Sequence, residues 1–344
     1  MYDLRPLIDK IRYTLDTHKL GAEGEWARWI WQDETNSRQM GLNEYGVADA
    51  NNILYTIGDF EYSEEQKKAR VSVMQSMQNT RDGLFYECTH HPLHTTAHLT
   101  GALELYDARP LHPLTALHRY KDKDELSALI YGLDWGYDPW PESHQGAGVY
   151  AALVNAGEDS EQFRRDYFDI LDGYCDSKTG FWGGDYVRNA PVSPSRNVGK
   201  QSSIYTYMAA GFHYMFNYMH EGRPLLYPDK IVDTCIDMYQ RDGLPDFFMK
   251  RANFIEVDWL YCTHRAMISA GGYRREECME LIRDFASKYL DFMLNMDHDT
   301  NDSFNDLHML FGGVCCLAEL QKAMPEDIKT DEPLRLVLER RPFI

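Results

Sequence analysis

The segment DGLFYECTHHPLHTTAHLTGALELYD (residues 82–107) contains the pattern that decides the fold. It opens with a glycine turn, DGLF, and continues into a helical stretch that is rich in small and apolar residues. Both parts recur along the chain, and self-similarity at a regular interval indicates a repeat architecture. The sequence therefore predicts that one structural unit is used several times.

Six units of similar length account for the whole chain. The turn positions are Gly24, Gly83, Gly136, Gly180, Gly243 and, in the sixth place, Asp302. The helices rich in small and aromatic residues that follow them are predicted at 47–59, 95–107, 143–157, 201–218, 256–271 and 306–321. More charged helices alternate with these, at 63–79, 111–131, 159–175, 228–241, 274–296 and within 4–40. We predict an all-α fold, a single (α/α)6 toroid over residues 1–344 with six inner and six outer helices; an open α-solenoid is the alternative.

The charge balance limits the partners that we expect. The chain of 344 residues has 35 Lys and Arg against 54 Asp and Glu, a net charge of −19. A surface this acidic disfavours nucleic acid and anionic membranes as partners. No run of 18 apolar residues suggests a membrane span. Seven scattered cysteines without a CxxC motif, and an N-terminal stretch without a long apolar run, favour a cytoplasmic protein. The sequence leaves the oligomeric state open.

This alternation of helices resembles the (α/α)6 toroid superfamily of six-hairpin glycosidases, toroidal polysaccharide lyases and terpenoid-cyclase or prenyltransferase-like barrels. DGLF (82–85) and TGFW (179–182) are similar to the turns of those families. FNDLHMLFG (304–312) followed by PLRLVLERRPFI (333–344) resembles an uncharacterised bacterial prenyltransferase-like group. The resemblance implies a site at one mouth of the ring, near the N-terminal ends of the inner helices. It does not imply one activity, because the toroid supports several chemistries.

Three aspartates are candidates for catalysis. Asp49 and Asp258 stand within apolar helical pattern, where a carboxylate is unfavourable unless it has a partner or a role. Glycoside hydrolysis uses two carboxylates that flank the scissile bond. We therefore predict that Asp258 and Asp49 form such a pair, with Asp306 as the alternative candidate for one of the two carboxylates. The expected function is a carbohydrate-active enzyme that hydrolyses a neutral glycoside or oligosaccharide.

Histidines are concentrated in HHPLHTTAH (residues 90–98). His94 and His98 are four positions apart and share one face of a helix. They are predicted to assist proton transfer or to bind sugar hydroxyls. The same spacing suits two ligands of one metal ion, with a third ligand from His144 or His308. No cofactor is expected, and a metal at the His90–His98 cluster remains an open alternative.

Aromatic residues near the predicted turns and helix starts are candidates for substrate binding, because flat rings stack on sugars. The predicted substrate-binding residues are Tyr86, Trp135, Trp140, His144, Trp182, Tyr205, Glu256, Trp259 and His308. Three other functions remain open. They are a lyase, epimerase or isomerase that uses His and Tyr, a terpenoid cyclase, and a helical-repeat binding protein. The absence of the DxDD and DDxxD motifs counts against the cyclase.

Overall fold

Helices predominate in the computed structural model, which describes residues 1–245 and 247–342. In chain order they are α1 (Arg5–His18), α2 (Glu44–Thr56), α3 (Glu64–Ser76), α4 (Pro92–Glu104), α5 (Lys123–Gly132), α6 (Pro139–Ala156), α7 (Glu161–Asp172), α8 (Asp185–Arg188), α9 (Ile204–His220), α10 (Pro228–Gln240), α11 (Phe254–Ser269), α12 (Arg275–Asn295), α13 (Asp302–Asn305), α14 (Leu307–Ala323) and α15 (Val337–Arg340). A 3-10 helix spans Thr115–Lys121. The all-α prediction is confirmed.

The described strands are short and lie at the surface of the helical body. β1 (Tyr2–Asp3) pairs in parallel with β4 (Ile328–Lys329), and β2 (Asn197–Val198) pairs antiparallel with β3 (Gln201–Ser202). Each strand has two residues, so they tie loops together and form no sheet of consequence. No helix of the described residues has the length and apolar character that crossing a membrane requires.

Six central helices, α2, α4, α6, α9, α11 and α14, are buried along most of their length. They correspond to the six segments of small and aromatic residues. Each packs against the next in that order, and α14 packs in turn against α2, so the contacts close on themselves. Close approach of these helices depends on small residues, since a Cβ added at Gly146 of α6 would lie 2.5 Å from the Tyr214 hydroxyl of α9.

Four central helices begin earlier than predicted, and of these α2, α4 and α6 differ most from the prediction. The Asn43 side chain accepts hydrogen bonds from the backbone of Tyr45 and Gly46, which starts α2 at residue 44. α4 and α6 both begin with a proline, which is well suited to the first helical position because its missing N–H has no helical partner there. As a result, His94 lies in the first turn of α4 and Asp49 in the second turn of α2.

The other six long helices are more exposed, and they are α1, α3, α5, α7, α10 and α12. Four of them, α3, α5, α10 and α12, pack against central helices, whereas α7 packs against α5 and α1 against α12. They match the charged segments of the sequence. Polar side chains cap three of them: Ser63 and Gln66 form a capping box on α3, Asp122 caps α5, and Ser160 caps α7. Their apolar residues join one buried cluster that runs from Leu4 to Leu338.

The segment 334–342 lies across the C-terminal ends of the central helices, and we call it the C-terminal strap. The Arg335 backbone N–H donates to Thr56 of α2 at 2.8 Å, and the Arg340 guanidinium binds Glu104 of α4 at 2.8 Å. Leu334 N–H donates to Gln321 of α14 at 2.7 Å. The strap also contacts α6, α9 and α11. This end of the bundle is therefore covered.

Candidate active site

A cavity of about 1020 Å³ opens at the other end, where the central helices begin. Five of the six contribute side chains from their first turns or from the residue before them. Loops at 29–38, 194–196 and 245–253 complete the wall. The resemblance to the toroid superfamily implied a site near these N-terminal ends. The cavity lining includes Trp29, Arg38, His90, His94, Trp140, Glu142, His144, Arg196, Tyr205, His213, Phe247, Arg251, Phe254, Asp306 and His308.

Five histidines form a continuous row across the cavity, and we call them the histidine row. Successive ring centroids are 5.0 Å apart for His308 and His90, and 4.8 Å for His90 and His94. The distance is 4.2 Å from His94 to His144 and 4.6 Å from His144 to His213. The row runs from α14 through α4 and α6 to α9, so four separate helices place titratable groups at one surface.

A buried aspartate stands behind one end of the row. Asp49 Oδ2 accepts from His308 Nδ1 at 3.1 Å, and Asp49 Oδ1 accepts from His98 Nε2 at 2.8 Å. Burial raises the pKa of Asp49, but attraction and hydrogen bonds from the two imidazoles outweigh burial and hold it below its ordinary value. An ionised carboxylate only accepts hydrogen bonds, so His308 carries its proton on Nδ1 and keeps a lone pair on Nε2.

His213 and His90 adopt the same tautomer for a related reason. Ser143 donates its proton to a main-chain carbonyl of the preceding turn, so its oxygen accepts from His213 Nδ1 at 2.8 Å. Thr89 donates to Glu87 at 2.6 Å and therefore accepts from His90 Nδ1 at 2.7 Å. Both imidazoles thus retain the Nε2 lone pair. Burial lowers the pKa of His213 to about 3 and that of His308 to about 4, so both are neutral at pH 7.

His94 adopts the other tautomer. Its Nδ1 is hydrogen-bonded to the Tyr45 hydroxyl, and burial raises the pKa of Tyr45 well above its ordinary value. The un-ionised phenol donates to Nδ1. Burial also lowers the pKa of His94 well below its ordinary value, so its single proton sits on Nε2. The histidine row therefore contains a hydrogen-bond donor next to acceptors.

Four carboxylates line the same cavity, those of Asp33, Glu142, Asp302 and Asp306, and the last of these and Glu142 stand at the starts of central helices. Asp306 caps α14, accepts from the His308 backbone at 3.0 Å, and is bound by both branches of Arg28 at 2.8 and 3.1 Å. Glu142 of α6 accepts from the Asp134 backbone at 3.1 Å and from a glutamine amide, and within residues 1–245 and 247–342 it has no ion pair. α6 and α14 are three places apart in the cycle of six, so the two carboxylates stand on facing walls.

No family model, curated protein or solved structure matches this chain. The chemistry of the cavity must therefore be argued from its own residues. The structure brings six predicted site residues to the cavity wall: His94, Trp140, His144, Tyr205, Asp306 and His308. Asp49 and His98 lie directly behind them.

The remaining predicted residues do not line this cavity. Asp258 and Glu256 are fully buried on α11, and neither Asp258 oxygen has a hydrogen-bond partner. Burial and the neighbouring Glu256 raise the pKa of Asp258 well above its ordinary value, so it is an uncharged acid. Trp135, Trp182 and Trp259 are buried between helices, whereas Tyr86 is exposed and bonded to Asp82.

Sequence reasoning missed His90 as an individual candidate, and also His213, Glu142, Arg28 and Arg251. His213 carries a signal that could have found it, because it is a lone imidazole within the apolar segment YMAAGFHYMF. Glu142 and Arg251 carry no such signal, since charged residues in loops and first turns are ordinary surface residues.

The residues that could hold a metal ion differ from the pair predicted from the sequence. His94 and His98 rings are nearly parallel, with centroids 6.2 Å apart, and they are directed at Tyr45 and Asp49. Asp49, His98 and His308 bring ligand atoms within 4.8 Å of one another. Two ligands of a tetrahedral zinc at about 2.0–2.1 Å would be about 3.3 Å apart. The separations of 2.8 and 3.1 Å fit hydrogen bonds better than shared coordination.

Proposed function

We propose that this protein is a carbohydrate-active enzyme that transfers protons with histidines, in the class of lyases, epimerases and isomerases. The observation that carries the proposal is the histidine row, in which His308 is backed by the buried Asp49 and His94 by Tyr45. We also infer that the closed cycle of central helices is the inner ring of an (α/α)6 toroid, with the cavity at its mouth.

The lining of the cavity supports a sugar as the substrate. The Nε2 lone pairs of His90, His213 and His308 accept hydrogen bonds from hydroxyl groups. Trp29, Trp140, Tyr205 and Phe254 contribute aromatic rings to the lining, and aromatic rings are the groups on which sugar rings stack. A volume of about 1020 Å³ accommodates more than one monosaccharide.

The tautomers suggest a division of roles. The Nε2 lone pair of His308 removes a proton from carbon or oxygen, and the ionised Asp49 stabilises the imidazolium that forms. His94 presents a neutral N–H to the substrate oxygen on which negative charge develops, which is a use that suits an imidazole of low pKa. Proton abstraction next to a polarised oxygen is the step shared by elimination, epimerisation and isomerisation.

The test is exchange of a substrate carbon-bound proton in deuterated water, followed by proton NMR over a panel of monosaccharides and oligosaccharides. We expect wild-type protein to exchange one position of its substrate, and His308→Gln to slow exchange by about 10²–10⁴-fold. His298→Gln, on a turn away from the cavity, is the matched control. Unchanged exchange in His308→Gln would refute the proposal.

Hydrolysis is a second candidate because Asp306 and Glu142 occupy facing walls. The pair predicted from sequence, Asp258 with Asp49, does not reach the cavity, whereas these two do. Neutral aryl glycosides distinguish the candidates. Loss of glycoside cleavage in Glu142→Gln, with cleavage retained in His308→Gln, would favour hydrolysis over histidine-based proton transfer.

A further inference from the structure

Arg251 differs from the other two arginines of the cavity wall. Arg38 is bound to Asp302 at 2.8 Å, and Arg196 is bound to Asp138 at 2.9 Å, so both positive charges are matched. For Arg251, the described part of the chain offers neither a hydrogen bond nor an ion pair to the guanidinium. Its side chain instead lies over the Phe247 ring, 4.9 Å from the ring centroid.

The backbone on both sides of Arg251 is anchored by buried side chains. Met249 N–H donates to Glu256 Oε1 at 3.0 Å, and Ala252 N–H donates to Ser303 Oγ at 2.9 Å. Both acceptors belong to helices, so the arginine is presented from a fixed stretch of chain. A binding group held in place before the ligand arrives loses less entropy when it binds.

The carboxyl groups near Arg251 leave its charge available. Burial raises the pKa of Glu256 to about 8, so this side chain is uncharged at neutral pH. Asp302 is already bound by Arg38. The cavity therefore exposes a cation that its described surroundings do not neutralise, in a protein whose net charge is −19.

We propose that Arg251 binds one anionic oxygen group of the substrate, a carboxylate or a phosphate carried by a sugar. The proposal rests on the proposed function and replaces the neutral substrate expected from sequence. A guanidinium binds such groups through two parallel hydrogen bonds. The strongly acidic surface repels a polyanion more than a ligand with one anionic group, so the combination selects for one such group.

The test is calorimetric binding of D-glucuronate, D-glucose 6-phosphate and D-glucose to the full chain. We expect one anionic sugar to bind about tenfold to a hundredfold more tightly than glucose, and Arg251→Gln to remove that difference while glucose binding persists. Arg283→Gln, an exposed arginine on α12, changes the net charge equally and should preserve the difference. Preference for glucuronate identifies a carboxylate, and preference for the phosphate ester identifies a phosphate.

The outcomes separate this inference from the proposed function. Equal binding of glucose and both anions, or a preference that survives in Arg251→Gln, overturns the anionic substrate and leaves the histidine chemistry standing. Failure of all three sugars to bind counts against both. If the guanidinium causes the difference in affinity between the anionic sugar and glucose, that difference should also decrease as the sodium chloride concentration is raised, since salt screens the charge.

Discussion

Glu256 and Asp258 stand two positions apart on α11, and both carboxyls are buried without an ion pair to any described residue. Transfer of a charged carboxylate out of water is so unfavourable that the group takes up a proton instead. Glu256 keeps one hydrogen bond, from the Met249 backbone, and its pKa rises to about 8. These acids therefore bear on stability, and through the Arg251 loop on the shape of the cavity wall.

The free energy of unfolding should fall as the pH rises from about 4.5 to about 8, because of Glu256. Its unfolded pKa is near 4.5 and its folded pKa is about 8, so in this window the unfolded chain releases a proton that the folded chain retains. The free energy of unfolding then decreases by at most about 1.4 kcal/mol per pH unit for this group. Urea denaturation from pH 5 to 8 measures it. Glu256→Gln should reduce the dependence of the unfolding free energy on pH in this range, whereas the exposed Glu280→Gln should not. The same pH dependence in wild type and Glu256→Gln would contradict this role of Glu256.

Asp49→Asn should weaken both the fold and the site. The amide has one acceptor oxygen for the two imidazole N–H groups that the carboxylate now accepts, so one buried donor loses its partner. We expect a loss of about 1–3 kcal/mol in the free energy of unfolding. Proton exchange should also slow, because an imidazolium on His308 would no longer face an anion. Full activity with reduced stability would show that Asp49 is structural only.

The sequence could identify Asp49, His94, His98 and His308 as unusual but could not say which way each one points. These residues stand out because they are polar within apolar helices. Asp258 has the same signal and lies away from the cavity. A helix that is buried on every side has no polar face, so hydrophobic periodicity does not reveal its rotation about its own axis. Only packing against the neighbouring helices decides it.

At the level of elements, prediction from the sequence was most successful for helices and least for their first residues. All twelve predicted helices are present, because small-residue and amphipathic segments differ clearly in pattern. The starts of α2, α4 and α6 were placed late, since Asn43, Pro92 and Pro139 precede the apolar pattern. Loops supply Trp29 and Arg251 to the cavity, and loop conformation follows from tertiary contacts that no local pattern contains.

Gly46→Ala should show how tightly α2 packs against the loop that carries Arg28. The added Cβ would lie 2.5 Å from backbone atoms of Ala27 and Arg28, which cannot rotate away as a side chain can. We expect a loss of about 1–3 kcal/mol in the free energy of unfolding, measured with urea. Gly132→Ala on α5 meets nothing within 4 Å and should be neutral or slightly stabilising. Equal effects of the two substitutions would contradict this account of the packing.

For the whole molecule, the two ends of the central bundle have different chemistry. The cavity end holds the N-termini of the central helices and the histidine row, and the covered end holds their C-termini, beside which Arg265, Arg335 and Arg340 lie. Helix C-termini carry partial negative charge, which favours cations there. Arg265 bridges Glu319 of α14, at 2.7 Å, and Glu339 of the C-terminal strap. The strap thus helps to join α11 and α14 at this end.

Arg265→Met should be far more damaging than loss of a surface ion pair. Glu319 has no exposed side-chain area, so its carboxylate would stay buried without a cation. We expect a loss of about 3–5 kcal/mol in the free energy of unfolding. Lys288→Met removes the half-exposed pair with Asp284 and should cost about 0–1 kcal/mol. The double variant Arg265→Met with Glu319→Leu should recover most of the lost free energy of unfolding. If it does not, lost packing and not the unpaired charge of Glu319 causes the destabilisation.

The contact between α14 and α2 has a consequence for biosynthesis. As the nascent chain leaves the ribosome, α2 can pack on α4 early, but its other neighbour is α14, which is made only after the five other central helices. Until then, one buried flank of α2 and the His308-facing side of Asp49 are open to water and to chaperones. The hydrogen-bonded pair of Asp49 and His308 can therefore be assembled only after translation has passed α14, however early the first helices form.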